Sequence, residues 1–597
     1  MPGIEDYALL GGLHTTALVS TAGSIDWLCL PRFDSPAALA ALLHNHEAGH
    51  WTLAPTAGGT CTARRYAGNT LVLETDWVTA GGAVRVIDFM PPRAGAPHLI
   101  RIALGLNGEV TMRSTLRLRF DFGREVPWVR HLGSEVHAIA GPNRVRLASA
   151  VQLGGDQWET TAGFTVRKGD RVWFVMSWAP SHEPVMPDLD AEQALSATTG
   201  FWAEWSSHAA YQAGPYSDAI DRSIITLKAL TYEPTGRLVA AATTSLPEEI
   251  GGVRNWDYRY CWLRDATYAL QALLAAGYRT EAGAWRDWLL RSIAGQPDAL
   301  QILYSLDGAR RVPEMELPWL SGYEGSSPVR SGNAASGQFQ LDVWGETLDA
   351  LFLARQAGLP ADADAWALQV ALMNYLESAW REPDNGLWEV RGDRQHFTHS
   401  KIMAWVAADR MARSVRTHRL PGPVKRWEAL REQIHHDVVT HAFDAGRNTF
   451  TQAYGSAALD ASLLLIPRVG FLPAKDPRVL GTLAAVRREL TDGGLVKRYQ
   501  TTETDDGVKG SEGLFIACSF WLVDALHASG QQRDAIDLFD RMLLLRNDVG
   551  LLSEEWDPAQ QRQLGNTPQA FSHFALIISA LQLHLGWCAR SDDPMQM

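Results

Sequence analysis

Two glutamates of this chain follow or precede a tryptophan within a short polar segment. Glu389 stands in Leu387-Trp388-Glu389-Val390 and Glu554 in Ser553-Glu554-Glu555-Trp556-Asp557. One carboxylic acid to protonate a leaving oxygen and one carboxylate to activate water are what hydrolysis of a glycosidic bond requires. A carboxylate directly after Trp388 stands against a partly apolar wall, where loss of water favours the protonated acid. Taken alone, Glu389 reads as a solvated turn residue, and Glu554 with Glu555 as a charged approach to a helix. A third cluster, from Asn255 to Asp265, mixes Trp256, Tyr258 and Trp262 with Arg259, Arg264 and Asp265. Flat faces stack on sugar rings, and charged groups grip vicinal hydroxyls. Arg264 and Asp265 read equally as an ion pair at a helix start. Arg498 and Tyr499, ahead of the glycine-rich Asp506–Gly510, form a fourth and weaker cluster. His396, His399 and His573 lack HExxH-type spacing and matched partners, so they are expected in hydrogen-bonded structural roles, with no metal site. No phosphate loop of the GxGxxG or Walker type lies between strand and helix, and no cofactor is expected.

The elements that must position these residues change character along the chain. Val110 to Phe120 alternates apolar with polar residues, the period of a half-buried antiparallel strand. Gly81-Gly82 reads as a hairpin turn between Asn69–Asp76 and Ala83–Phe89, and Lys168-Gly169-Asp170 as another between Val166-Arg167 and Val172–Met176. Many short strands predict a β-sandwich over 1–190. Beyond it the period becomes helical: Leu341, Trp344, Leu348, Leu351 and Phe352 form one apolar stripe. Three segments repeat a plan of helix, glycine, short loop and helix, around Gly277, Gly358 and Gly530. A glycine at that position takes the left-handed conformation that ends a helix. Helical hairpins repeated in this way build a closed α/α toroid or a solenoid, and periodicity does not choose between them. The division expected is 1–190, a linking helical region over 191–235, and a helical domain over 236–597.

A chain of 597 residues exceeds one core. Its formal charge of -13 argues against a nucleic-acid partner. No run approaches the ~20 apolar residues of a membrane span, and the N-terminus has no signal-peptide pattern. The five cysteines, Cys29, Cys61, Cys261, Cys518 and Cys588, are scattered without a CxxC pair, which predicts a reducing, cytoplasmic location. The 23 tryptophans fit a carbohydrate enzyme, although most are expected simply to fill core. A sandwich this hydrophobic leaves area for an interdomain surface or a homo-oligomer contact.

In order along the chain, IEDYALLGGLHTTALVSTAGSIDWLCLPRFDSP, TTSLPEEIGGVRNWDYRYCWLRDA, PVRSGNAASGQFQLDVWGE, GLWEVRGDRQHFTHSKIMAWVAADR, EGLFIACSFWLVDAL and LLSEEWDP with LGNTPQAFSH resemble glycoside hydrolase family 15. That family groups glucoamylases, glucodextranases and trehalases, and the likeness is to its bacterial trehalase-like branch. It implies an N-terminal antiparallel β-sandwich followed by an (α/α)6 barrel, and an exo-acting hydrolase that inverts the anomeric carbon. Carried over residue by residue, it implies Glu389 as general acid, Glu554 as general base, and Arg264 with Asp265 gripping the terminal glucose. Arg498 with Tyr499 is implied as a further substrate-contacting pair, with Trp388, Trp262 and Glu555 completing the expected substrate-binding set. The implied substrate is trehalose, with α-1,4 or α-1,6 gluco-oligosaccharides second. A glycoside phosphorylase or a non-catalytic carbohydrate-binding scaffold are remoter readings. Val390 stands where fungal glucoamylases carry a second acid, so an identical hydrogen-bond set at the first sugar is not implied. Thr567 replaces an expected aromatic and reads as a packing substitution.

Overall fold

A computed structural model describes residues 1–585 apart from 57, 94, 361 and 362. Cys588 and the end of the 236–597 segment lie outside the described residues. The first 180 residues form an antiparallel sandwich whose spine is one strand of twenty residues, His98–Arg117. Its first half lies between Gly82–Phe89 and Arg171–Pro180, with Ile100 opposite both Phe89 and Val175. Its second half lies between His50–Pro55 and Glu159–Arg167, with Ser114 opposite both Leu53 and Ala162. The strand is therefore shared by both layers. The predicted alternation is present: Val110, Met112 and Leu116 are buried, while Thr111 and Arg113 face solvent.

The turn at Gly81-Gly82 joins paired strands as expected, Thr79 lying opposite Gly82. The hairpin expected at Lys168–Asp170 is not formed. Glu159–Arg167 and Arg171–Pro180 run on in one direction against the same long strand, Arg167 opposite Glu109 and Arg171 opposite Leu104. The three residues are an interruption between two halves of one partner strand. A Cβ on Gly105 would meet the Arg167 carbonyl oxygen at 2.0 Å, so the close crossing there depends on glycine.

After the sandwich come helices α1 (Ala191–Ser206), α2 (Ser217–Ala229), α3 (Ala266–Ala275), α4 (Arg279–Ile293), α5 (Asp342–Gln356) and α6 (Ala363–Ala379). They are followed by α7 (Thr398–His418), α8 (Val424–His441), α9 (Pro477–Glu489), α10 (Ile516–Ser529), α11 (Gln532–Leu543) and α12 (Ala570–Leu585). Contacts run from α3 to α5, to α7, to the short turn Ala461–Leu465, to α10, to α12 and back to α3. That closes an inner ring, with α2, α4, α6, α8, α9 and α11 packed outside it. The chain thus has the sandwich and (α/α)6 barrel architecture, and the toroid is chosen over the solenoid. Gly277, Gly358 and Gly530 take positive φ (94°, 70° and 92°) at the helix ends where the repeated plan put them. Inner and outer helices differ as their neighbours require. Helix α5 is buried on every side from Asp342 to Ala354, wider than the single stripe predicted, because it packs inside a ring. Helix α11 buries only Ala535, Leu538, Phe539 and Met542, one face at i, i+3, i+4 and i+7.

Helix α1 lies on the sandwich, and α2 packs against α12 as part of the outer ring. The two domains are tied together by buried polar contacts. Trp27 Nε1 donates to the Ala242 carbonyl at 2.8 Å. Arg259, fully buried and paired with Asp257 at 2.7 Å, donates to the Ser35 carbonyl, also at 2.7 Å.

Candidate active site

Each chemistry-bearing segment lies just before an inner helix: residues 255–265 before α3, 384–397 before α7, 498–515 before α10 and 551–569 before α12. The connections therefore converge at one end of the ring. Trp256, Tyr258, Trp388, Glu389, Arg498 and Tyr499 line a common cleft there.

The Glu389 side chain is 19% exposed, and its Oε1 accepts from Trp262 Nε1 at 2.7 Å and from Arg264 at 3.0 Å. Its immediate surroundings are donors rather than the apolar wall expected from Trp388. That indole turns aside to donate to Asp460 and packs on Phe515. The backbone of Glu389 is left-handed, φ +59°, closed by an N–H to Gly386 carbonyl bond. A non-glycine residue in that region costs of order 1 kcal/mol or more and persists where its surroundings hold it. Here Gln338 Nε2 donates to the Glu389 and Val390 carbonyls.

Glu554 is 1% exposed. Its Oε1 accepts from Tyr258 Oη at 2.8 Å and Gln569 Nε2 at 3.3 Å, while Oε2 has no hydrogen-bond partner. Gly565 (φ +74°) covers that oxygen, and a Cβ there would lie 2.7 Å from it. Burial, then the neighbouring Glu248, push the Glu554 carboxyl up to about 8, with Arg498 and the Tyr258 bond opposing. Between the two carboxylates stand the rings of Trp262 and Tyr258, edge to face with centroids 5.4 Å apart. Each ring carries a hydrogen bond to one of the glutamates.

Arg264 contacts Asp265 at 3.4 Å as well as Glu389, and burial raises the Asp265 carboxyl against that cation's pull. Arg498 is the hub of the opposite wall. It lies over the faces of Trp388, Tyr499 and Phe515 and is bonded to Glu248 at 2.9 Å and to Glu512. Burial works against its charge, but Glu248 and Glu512 outweigh that and hold the guanidinium well above its ordinary range. Tyr499 Oη donates to Asp506 at 2.8 Å, and Asp506 also receives Arg254. Glu555 is turned behind the cleft, where Oε2 accepts from the Gly513 N–H at 2.8 Å. Carboxylate oxygens of Glu248, Glu512 and Glu555 fall within 4.8 Å of one another, a spacing open to a cation, but Arg498 donates into the same cluster.

Of the histidines, His573 is hydrogen-bonded to Ser223 and to the Leu552 N–H, as expected. His396 stacks on Tyr454. His399 is buried with neither ring nitrogen bonded, and burial together with Arg264 lowers it to about 3. Val390 packs with Phe397 and Ala453, and buried Thr567 donates its N–H to Thr243.

The sequence from 214 to 581 matches the profile described as Glycosyl hydrolases family 15. The chain belongs to that family. Residues 1–170 match a second profile, Trehalase-like, N-terminal. A protein of Mycobacterium tuberculosis named Trehalase is 39% identical over 96% of this chain and 89% of its own length. One of Thermoplasma acidophilum with the same name is 33% identical over 96% of this chain and 99% of its own. Among solved structures, a bacterial glucoamylase complexed with acarbose superposes with a TM-score of 0.72 over 100% of this chain and 97% of that one. At 13% identity it shows the fold alone.

This family 15 glycoside hydrolase brings all nine expected residues into one connected cluster. Reading the sequence missed Glu248 and Glu512, which fix Arg498, and did not single out Tyr258 and Gln569 as the groups that hold Glu554. Tyr258 lay inside the aromatic cluster, where a phenol between Asp257 and Arg259 was the available signal. Glu248 and Glu512 are ordinary loop acids until the fold puts an arginine between them.

Proposed function

We propose that this chain is an inverting, exo-acting trehalase. The reading is supported by the relatives that bear that name, and the observation that carries its chemistry is the unpartnered, buried Oε2 of Glu554. An oxygen in that state can take a hydrogen bond and then a proton from a water molecule. Glu389, on the other side of the Trp262–Tyr258 pair, protonates the glycosidic oxygen as the bond to C1 breaks. Water adds to C1 from the Glu554 side, and its proton passes to Oε2. One molecule of trehalose then gives one β-glucose and one α-glucose. Arg264 and Asp265 hold the hydroxyls of the terminal glucosyl unit, and Arg498 with Tyr499 line its other side. Trp388 and Trp262 shape the aromatic walls, and Glu555 acts from behind by fixing the chain at Gly513.

We divide the chain into a sandwich over 1–190 and a barrel over 236–597 that also takes in α2 from the region 191–235. We place the protein in the cytoplasm, acting on free sugar without nucleic acid, membrane or cofactor. Among the described residues no helix is long and apolar enough to cross a membrane, and Cys29, Cys61, Cys261 and Cys518 are free thiols.

The test is a panel of trehalose, maltose, isomaltose, kojibiose, nigerose and soluble starch, with released anomers followed by NMR. Trehalose is expected to be cleaved fastest, with equal initial α- and β-glucose. Two α-glucose molecules per trehalose overturn inversion, and preference for starch or isomaltose moves the assignment to α-glucan hydrolysis.

A further inference from the structure

We propose that the sandwich holds a second binding site, between its layers and lined by no barrel residue, for a small amphipathic carboxylate. The layers part at one end to leave a cavity of about 340 Å³, at the lower end of the ~300–1,000 Å³ of small-molecule sites. Leu116 and Leu118 wall it from one layer, Val136, Val145 and Leu147 from the other. Those five are at most 6% exposed, so these walls are core-like rather than surface. Apolar voids of this kind take apolar groups in preference to water.

Arg119 interrupts the apolar part of the lining, whose rim also carries His131, Asp156 and Glu159. Arg119 is 6% exposed, and its guanidinium donates to the Leu118 carbonyl at 2.8 Å. Among the described residues no carboxylate lies within ion-pair distance of it. Elsewhere the deeply buried arginines Arg101, Arg259, Arg410 and Arg498 each have a carboxylate partner, and Arg237, which has none, is bonded to the Ser305 carbonyl and the Ser292 hydroxyl. Of the two acids in the lining, Glu159 is engaged by Arg117 at 3.0 Å and Asp156 is exposed to solvent. Burial lowers the Arg119 guanidinium below its ordinary range, the direction expected of a cation short of a counter-charge.

The mouth is built for a ligand that enters from solvent. Trp128 and Trp158 flank it at 64% and 78% exposure, with Val126 and Val129 beside them. Trp158 is held out with a left-handed backbone, φ +70°. An apolar chain or ring lying between the layers, with its carboxylate on Arg119, satisfies both the walls and the charge.

The experiment is calorimetric titration of the full-length protein with octanoate, decanoate and decanol. Decanoate is expected to saturate at one per chain and to bind at least tenfold more tightly than decanol. Octanoate is expected to be about fifteenfold weaker than decanoate, near fourfold for each of the two lost methylenes. Arg119→Gln should cost decanoate about tenfold and leave decanol unchanged, with hydrolysis at the barrel unaltered as the sign of an intact fold. Ala138→Leu, which keeps the arginine and fills part of the cavity, should move the preference toward octanoate. The proposal is overturned if decanoate does not saturate, if decanol binds equally well, or if Arg119→Gln leaves decanoate affinity unchanged. It is also overturned if the mouth is covered by a second copy. The sign of that would be a dimer that Trp158→Ser dissolves and decanoate does not compete with.

Discussion

The two walls of the cleft treat negative charge in opposite ways. On the α3 side two carboxylates, Glu389 and Asp265, share the Arg264 guanidinium, and Glu389 also accepts from an indole N–H. On the α10–α12 side Arg254 and Arg498 pair with Glu248, Glu512 and Glu555, while Glu554 has only the uncharged Tyr258 and Gln569 as hydrogen-bond donors. The first wall sets its carboxylates against a cation. The second buries Glu554 and sets Glu248 near it, which raises its carboxyl to about 8 and makes it a strong proton acceptor once ionised. The contrast shows that neighbouring tryptophans, which look alike in both sequence segments, do not decide how a carboxylate behaves. The partners brought from distant segments do.

The comparison breaks first at the carboxylates themselves. Glu389→Gln and Glu554→Gln should each lower kcat by about 10²–10⁴-fold with the fold intact by circular dichroism. Activity surviving Glu554→Ala in the presence of phosphate would point to a phosphorylase instead. Tyr258→Phe comes next, at about 10–100-fold in kcat/KM, the worth of a hydrogen bond to a charged group. Because that bond favours the ionised form of Glu554, its loss raises the carboxyl further, so the acidic limb of the pH–rate profile should move to higher pH. Movement to lower pH would refute the assignment of that limb to Glu554. Gly565→Ala, which drives a methyl group onto Oε2, should lower kcat by about tenfold or more while changing KM little.

The smallest effect is on stability. Glu554 has a folded-state pKa of about 8, above its unfolded value of 4.5. Its contribution is fully present below 4.5 and is lost as pH rises toward 8, where the unfolded chain ionises and the folded one resists. Glu554→Gln should therefore melt at a higher temperature than wild type near pH 8, and the difference should shrink toward pH 5. Thermal melts across that range check it, and a gap that widens on acidification would overturn the sign.

Much of this was legible in the sequence because it is local. The left-handed glycines at 277, 358 and 530 end helices through their own backbone freedom, and the alternation from Val110 belongs to one strand. Lys168-Gly169-Asp170 misled for the same reason. Its residues suit a tight turn, but a strand twenty residues long offered both flanking runs a common partner. At the site, Glu389 and Glu554 were recognisable from their surroundings in sequence. The cluster around Arg498 was not, since Glu248, Arg498, Glu512 and Glu555 come from separate connections and acquire a shared chemistry only when the ring closes.

Arg259 gives the two domains a common fate. Its guanidinium is buried in the barrel's first connection, one residue after Tyr258, and is capped by the Ser35 carbonyl of the sandwich. A barrel released from residues 1–190 would expose a cation whose solvent has been replaced by another domain's backbone, next to the phenol that holds Glu554. The sandwich is in that sense a foundation of the active site, so exchanging barrels or sandwiches between relatives will succeed only where the loop at 33–35 travels with its arginine.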